Sequence, residues 1–484
     1  MEIKSVKHNF IMNFILTATQ FIFPLITFPY VSRILGAAAM GKVSFASSVA
    51  NYFMMVASLG IPTYGIRACA QVRDDKFRLS KTVKEIFIIN SCTTFIVVST
   101  YIISIYTVPQ FAHEKTLFVI NGFNILLNIF GMNWVFQALE QYDYITIRSI
   151  LFKVISVILM FTLVHQEQDY VIYGAITVLA AVGSYVLNFI KIQKFVDFKT
   201  SGPYSFRKHF KPIFILFAQS LAVSIYTNLD TVMLGFLRTD TDVGFYNAAI
   251  KIKTILLSLV TSLGNVLLPR MSYYVNHKMN KQFLSTMLKA LNFTTLMSIP
   301  LATYFILFGR ESMLLLAGEG YSGAFLAMQI ITIAVIPNGL TGVLGVQVLT
   351  AVEREKYVLY SVTIGAAIDF GLNLLMIPSY GAAGAALATT IAEFIVLLIQ
   401  IICTKDFLLV IKNKFRIAWY ILLSIVAAFA SFWVKIININ LVFVKLFISA
   451  IIFFGIYGVG LLIIKEEVAL QLRDTILFKL KIKK

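Results

Sequence analysis

The sequence predicts an all-α polytopic membrane protein, and three observations carry that prediction. Hydrophobic residues make up 59% of the 484 positions and charged residues only 13%, too few charges to cover the surface of a water-soluble protein of this size. Apolar runs of about 20 residues, the length that crosses the hydrocarbon core as a helix, recur from end to end. The basic residues collect in alternate loops between those runs. In a soluble chain a net charge of +18 would point to nucleic acid. Here it reads as positive loops facing the cytoplasm and anionic lipid, so membrane lipids are expected as partners and nucleic acid is not.

Taken in order, Lys4 and Lys7 precede the first run, residues 10–31. It is too long for a signal-peptide core and another span follows at once, so it reads as a retained helix. Pro24 and Pro29 should bend it, because each removes an i→i−4 hydrogen bond. Residues 36–43, Gly-Ala-Ala-Ala-Met-Gly-Lys-Val, narrowly miss the phosphate-loop pattern. Val43 stands where a hydroxyl would hold magnesium, and no strand precedes it. The stretch reads as a tight interhelical turn, with an energy source other than ATP hydrolysis. Further spans are expected at 43–61, 86–106, 117–136, 150–164 and 171–190, then at 213–237, 243–268, 290–308, 324–349, 358–377 and 382–403. Two more, 417–434 and 441–464, bring the total to fourteen transmembrane helices.

Residues 41–67 recur in outline as residues 244–270. The offset is 203 positions at Gly41 and Gly244, at Ala46 and Ala249, and at Arg67 and Arg270. A repeat of that length makes two similar halves. With both termini in the cytoplasm, about 32 of the 41 Lys and Arg residues fall in inner loops, about six outside and three within helices, as the positive-inside rule requires. Each half then starts on the cytoplasmic side, so the repeat is parallel. The expected organisation is a six-helix bundle at 1–195, a second at 196–404, and two additional helices with a basic cytoplasmic tail at 405–484.

The fourth span ends in Asn133-Trp134-Val135-Phe136-Gln137-Ala138-Leu139-Glu140, followed by Tyr144, Ile145 and Arg148. Trp134 alone could be an interfacial anchor. The pattern as a whole resembles the polysaccharide repeat-unit flippases of the multidrug, oligosaccharidyl-lipid and polysaccharide exporter superfamily. The same resemblance runs through Phe28-Pro29-Tyr30-Val31-Ser32-Arg33-Ile34-Leu35-Gly36, Tyr64-Gly65-Ile66-Arg67, Asn228-Leu229-Asp230-Thr231-Val232-Met233-Leu234-Gly235 and Val243-Gly244-Phe245-Tyr246-Asn247-Ala248-Ala249. It continues in Ile377-Pro378-Ser379-Tyr380-Gly381-Ala382-Ala383-Gly384. The resemblance implies fourteen helices, two six-helix bundles around a cleft, and translocation of an undecaprenyl-diphosphate-linked oligosaccharide across the cytoplasmic (inner) membrane. A polysaccharide polymerase and chain-length machinery are the partners it suggests.

Ionisable residues inside the spans are the candidates for function, since each costs roughly 2.5–3.5 kcal/mol at a helix centre unless paired or hydrated. Asp230 and Lys251 lie at matched depth either side of Asp240. They read either as a salt bridge or as a cleft-lining site that rearranges. Lys253 is about 200° round the helix from Lys251, so the two cannot serve one partner equally. Asp369 and Glu393 flank Tyr380 at matched depth, with no basic residue near in sequence. They read as an ion-coupling pair or as two independently bonded acids. Lys445 is expected to snorkel. Arg67 and Arg270, at the cytoplasmic ends of the second and eighth spans, read as a diphosphate site or as positive-inside anchors. With Arg33, Lys251 and Lys253 they form the candidate substrate-binding set. No catalytic residue, cofactor or metal is expected. The five histidines form no ligand cluster, and Cys69, Cys92 and Cys403 imply no disulfide framework. The competing functions are multidrug or lipid II export and, in another class, a membrane polysaccharide polymerase or glycosyltransferase. An enzyme of that class would be expected to carry a larger extramembrane loop.

Overall fold

The computed structural model of the chain describes residues 6–199, 203–262, 264–411, 416–437, 441–467 and 469–470. Among the described residues all regular structure is helical. The chain divides into two compact units, Met1–Gly244 and Phe245–Lys484. The first holds α1 (Val6–Ser58), α2 (Ile61–Ala70), α3 (Lys76–Thr107), α4 (Pro109–His113), α5 (Lys115–Gly131), α6 (Asn133–Ala138), α7 (Tyr142–Leu163), α8 (Tyr170–Val182), α9 (Tyr185–Ile192) and α10 (Arg207–Leu237). Helix α11 (Asp240–Val260) begins in the first unit and continues into the second. The second unit goes on with α12 (Gly264–Asn276), α13 (Asn280–Leu307), α14 (Gly309–Ala317), α15 (Ala324–Ile333), α16 (Val335–Thr341) and a π-helix at Gly342–Leu349. It ends with α17 (Glu355–Cys403), α18 (Lys405–Ile411), α19 (Ile417–Ile436) and α20 (Val442–Ile463).

Among the described residues, eleven helical stretches are long and apolar enough to cross a membrane. Two are too long for one crossing, 60 residues from Ile11 to Ala70 and 49 from Glu355 to Cys403. At 1.5 Å per residue even the shorter would reach about 74 Å, over twice the hydrocarbon thickness. Each is interrupted at a glycine with positive φ, Gly36 at 70° and Gly381 at 54°, a conformation that a Cβ disfavours. Beyond Gly381 the chain doubles back, because a Cβ at Gly384 would collide with the carbonyl of Met376, eight residues earlier. The small residues of this hairpin let its two arms approach closely. The expected turn over residues 36–43 is shorter than the sequence suggested: Gly36 alone breaks α1, and Gly41 and Lys42 are helical. Helix α10, 31 residues long, adds a further long helix to these stretches.

The second span ends about where expected, at Leu59 (φ 44°) and Gly60 (φ 70°) before α2, whereas the fourth, which read as continuous, is broken at Met132 (φ 38°) before α6. Left-handed backbone at a leucine or methionine is unfavourable and persists where packing holds it. Here Trp134, 5% exposed, and Tyr64 share one buried cluster with Ile61, Phe136 and Ile192. A Cβ at Gly65 would collide with the Trp134 indole, so Trp134 is a core side chain seated on α2 and not an interfacial anchor. In the second unit Tyr304, Tyr420, Phe453 and Tyr457 centre a cluster that binds α19 and α20 to α13. The Tyr304 hydroxyl donates to Leu446 O at 3.0 Å and that of Tyr457 to Leu296 O at 2.9 Å. Phe95, Leu375 and Phe429, at 74%, 74% and 78% exposed, present apolar surface of the kind a bilayer accommodates.

Candidate functional site

Two arginines that the repeat pairs, Arg67 and Arg270, are exposed. They do not extend the spans before them; each rides on a short helix beyond a break, α2 and α12. In the first unit α2 rests on α6, the segment that follows the Met132 break. In the second, α12 rests on the π-helix of the tenth expected span, an irregularity that often marks functional segments. Both guanidinium groups lie over a tyrosine of their own helix. The distance is 5.8 Å to the centroid for Arg67 over Tyr64 and for Arg270 over Tyr274, within cation–π range. Arg270 also donates from Nε to the Tyr274 hydroxyl at 2.8 Å. Arg33 is exposed and donates to its own helix, Nη1 to Pro29 O at 2.6 Å.

The buried charges resolve differently from the sequence expectation. Glu393, on the second arm of α17, faces Lys253 of α11, Nζ to Oε1 3.7 Å, with the side chains 12% and 4% exposed. Asn338 of α16 donates to the same oxygen at 2.7 Å. The basic partner that sequence proximity did not supply thus comes from 140 positions upstream. Glu393 is neither half of an isolated carboxylate pair nor an acid held only by neutral groups. Asp369 and its neighbour Asn373 are fully buried. Lys251 is half-buried, and Asp230, in the first unit, is 4% exposed. Lys445 does not simply snorkel: it lies 3.6 Å from Glu311 and donates to Lys435 O at 2.9 Å.

Sequence reasoning missed three polar clusters in the first unit. Lys42 pairs with Glu114 at 2.6 Å, and Glu114 also accepts from the Tyr170 hydroxyl at 2.9 Å. Arg148, 4% exposed, donates to Asn133 at 2.9 Å and to Asn188, pinning the break after α5 to α7 and α9. The third centres on Glu85, fully buried in the third turn of α3. It accepts from Lys208 Nζ at 2.9 Å, His209 Nε2 at 2.8 Å and Ser205 N–H at 2.7 Å. On its other side His209 Nδ1 lies 2.6 Å from the Tyr64 hydroxyl. His209 precedes the apolar run that begins at residue 213; burial pushes its imidazole below its ordinary range, against the pull of Glu85. Only a buried histidine between two basic neighbours, Lys208 and Lys211, could have hinted at this cluster, and burial is not visible in sequence.

One reciprocal contact lies within the first unit. A Cβ at Gly41 would collide with Asp240 O, and one at Gly244 with Ala37 O. The 203-residue offset exchanges these pairs, since 37 maps to 240 and 41 to 244. The two glycines of the repeat therefore permit the same close backbone crossing from opposite sides.

Long apolar helices, paired breaks and a charge pair buried in an apolar span define an all-α polytopic membrane protein. More particularly, the chain belongs to the family described as "Polysaccharide biosynthesis protein", whose model matches residues 6–275. A second model, MatE, matches residues 216–375. The chain is 25% identical over 358 residues to the "Putative O-antigen transporter" of Escherichia coli (strain K12), covering 73% of this chain and 85% of that protein. Its fold is that of "Lipid II flippase MurJ, inward closed conformation", with a TM-score of 0.75 at 16% identity, covering 95% of this chain and 99% of the other. A multidrug resistance transporter of the MATE family in its inward-facing conformation superposes with a TM-score of 0.65 at 12% identity, over 81% of this chain and 96% of that one.

Proposed function

We propose that this protein flips a lipid-linked oligosaccharide, with undecaprenyl diphosphate as the carrier, across the cytoplasmic membrane by alternating access. The observation that carries the reading is membership of the polysaccharide biosynthesis family over residues 6–275, together with alignment to an O-antigen transporter's sequence along 73% of this chain. Fourteen spans, in two parallel six-helix groups at 1–195 and 196–404 with two added helices at 405–484, give the halves that alternate. Both termini lie in the cytoplasm, and the protein transports without catalysing a covalent step. Arg67 and Arg270, each at the cytoplasmic end of a span in its own half, are the diphosphate ligands, since a guanidinium binds phosphate oxygens in a bidentate fork. Lys251 receives the diphosphate deeper in the membrane, and Arg33, at the outer end of the first span, completes the substrate-binding set. The buried Lys253–Glu393 pair, with Asp369 on the facing arm of the same hairpin, couples transport to an ion gradient. A polymerase and chain-length machinery receive the flipped unit. Lipid II or drug export is the alternative that the shared fold keeps in view; fold alone does not select it.

The test is charge removal at the two arginines. Arg73, Lys76 and Lys278 remain to hold topology, so Arg67→Gln/Arg270→Gln should insert normally yet lose glycan export in cells lacking the native protein. Wild-type export by the double variant at wild-type abundance would leave these arginines as topological anchors only.

A further inference from the structure

The Glu85–His209–Tyr64 cluster is built to a tighter specification than a helix contact needs. Three donors converge on a carboxylate that has no exposed surface: Lys208 Nζ, His209 Nε2 and the Ser205 N–H, at 2.9, 2.8 and 2.7 Å. A carboxylate so satisfied is fixed in place and in charge. It therefore sets the histidine tautomer: Nε2 carries the proton that Glu85 accepts, which leaves Nδ1 with a lone pair. The Tyr64 hydroxyl, 2.6 Å away, donates to it. His209 is 1% exposed and Tyr64 7%, so neither group has water as an alternative partner. Tyr64 is held at its hydroxyl by this chain and on its neighbour Gly65 by the Trp134 indole. The face of its ring carries the exposed Arg67 guanidinium, 5.8 Å from the centroid.

We propose that His209 and Glu85 are positioning residues for Arg67: they lock the Tyr64 ring, and the locked ring holds the guanidinium ready for a diphosphate. The proposal rests on the reading of Arg67 as a diphosphate ligand. It assigns a role to the start of α10 and the residues just before it, where Ser205, Lys208 and His209 lie. A guanidinium free to sample many rotamers would give up part of its binding energy to being ordered, and a fixed platform removes that cost.

Tyr64→Phe separates positioning from simple support, because it keeps the ring beneath Arg67 and deletes only the hydroxyl. The probe is farnesyl diphosphate, an isoprenoid diphosphate small enough to titrate calorimetrically against the full-length protein in lipid nanodiscs. Arg67→Gln should weaken its binding at least tenfold. Tyr64→Phe and His209→Gln should each weaken it roughly three- to tenfold, the range one hydrogen bond commands. Neither should weaken it further when added to Arg67→Gln. In reconstituted transport Tyr64→Phe and His209→Gln should raise KM and leave kcat near wild type. If Arg67→Gln binds the probe like wild type, the diphosphate reading of Arg67 falls and takes this proposal with it. If Arg67→Gln is weakened but Tyr64→Phe is not, only the positioning role is overturned. Equal losses from Tyr64→Phe with and without Arg67 would also overturn it, since the hydroxyl would then act independently. Should His209→Gln fail to fold, Tyr64→Phe decides alone.

Discussion

Removing one partner of the Lys253–Glu393 pair should cost far more than removing both. At 3.7 Å and an effective dielectric of about 20, two unit charges attract by about 4.5 kcal/mol. Desolvation of two buried ions offsets much of that, so the pair itself adds little net stability, whereas stranding one charge costs about 3–5 kcal/mol. Lys253→Met leaves Glu393 with only the Asn338 amide, and Glu393→Gln leaves Lys253 facing a neutral group. Each single variant should therefore lose about 3 kcal/mol. The double variant, Lys253→Met/Glu393→Gln, strands neither charge and should lose only about 1 kcal/mol, about 5 kcal/mol less than the sum of the two. Thermal unfolding in detergent, followed by tryptophan fluorescence and monodispersity, measures all four proteins. Losses that add within about 0.5 kcal/mol would refute the pairing, because interacting neighbours do not behave additively. The same four proteins test coupling. A structural pair predicts that the double variant, stable again, exports at the wild-type rate when the ion gradient is imposed. A coupling pair predicts that export stays lost although stability returns.

Two further predictions concern topology and the glycine crossing. Single cysteines at Asp240 and Glu319 should react with an impermeant thiol reagent added outside, and cysteines at Asp197 and Glu353 only after permeabilisation. Labelling at positions 240 and 197 from the same side would end the parallel-repeat arrangement. Gly41→Ala and Gly244→Ala each place a methyl group against a backbone carbonyl, an overpacking that costs about 1–3 kcal/mol in the conformation described. Both should therefore raise outside labelling of a cysteine at Lys42 by fivefold or more, without loss of inserted protein. Unchanged labelling would mean that the crossing does not have to be closed in the populated state.

The membrane class was legible because it depends on a local quantity, the length and polarity of a window matched to the bilayer. The hairpin at Gly381 and the turn at Gly36 were legible for a similar reason, since small residues between two apolar runs leave few other readings. The motifs around Trp134 and Asp230 carried the family, but not what those residues touch. Trp134 read as a possible anchor and proved to be the seat of α2, because an indole suits either setting and only its neighbours decide. Gly60 and Pro62 signalled the end of the second span, but the break at Met132 left no local signal; methionine does not favour left-handed backbone, and the packing of Tyr64, Trp134 and Phe136 holds it there.

By itself the sequence determined which segments are helical, that they belong in a membrane, and which residues were costly enough to require partners. Only the tertiary structure decided who those partners are. Glu393 finds Lys253 across 140 positions, and His209 finds Tyr64 across 145 and Glu85 across 124. The physical reason is geometric. Hydropathy places a residue at a depth in its own helix, whereas an ion pair also needs two helices to be neighbours and both side chains to point at one another. Neighbourhood and rotation are set by the packing of whole faces, a property that belongs to no single stretch of the chain.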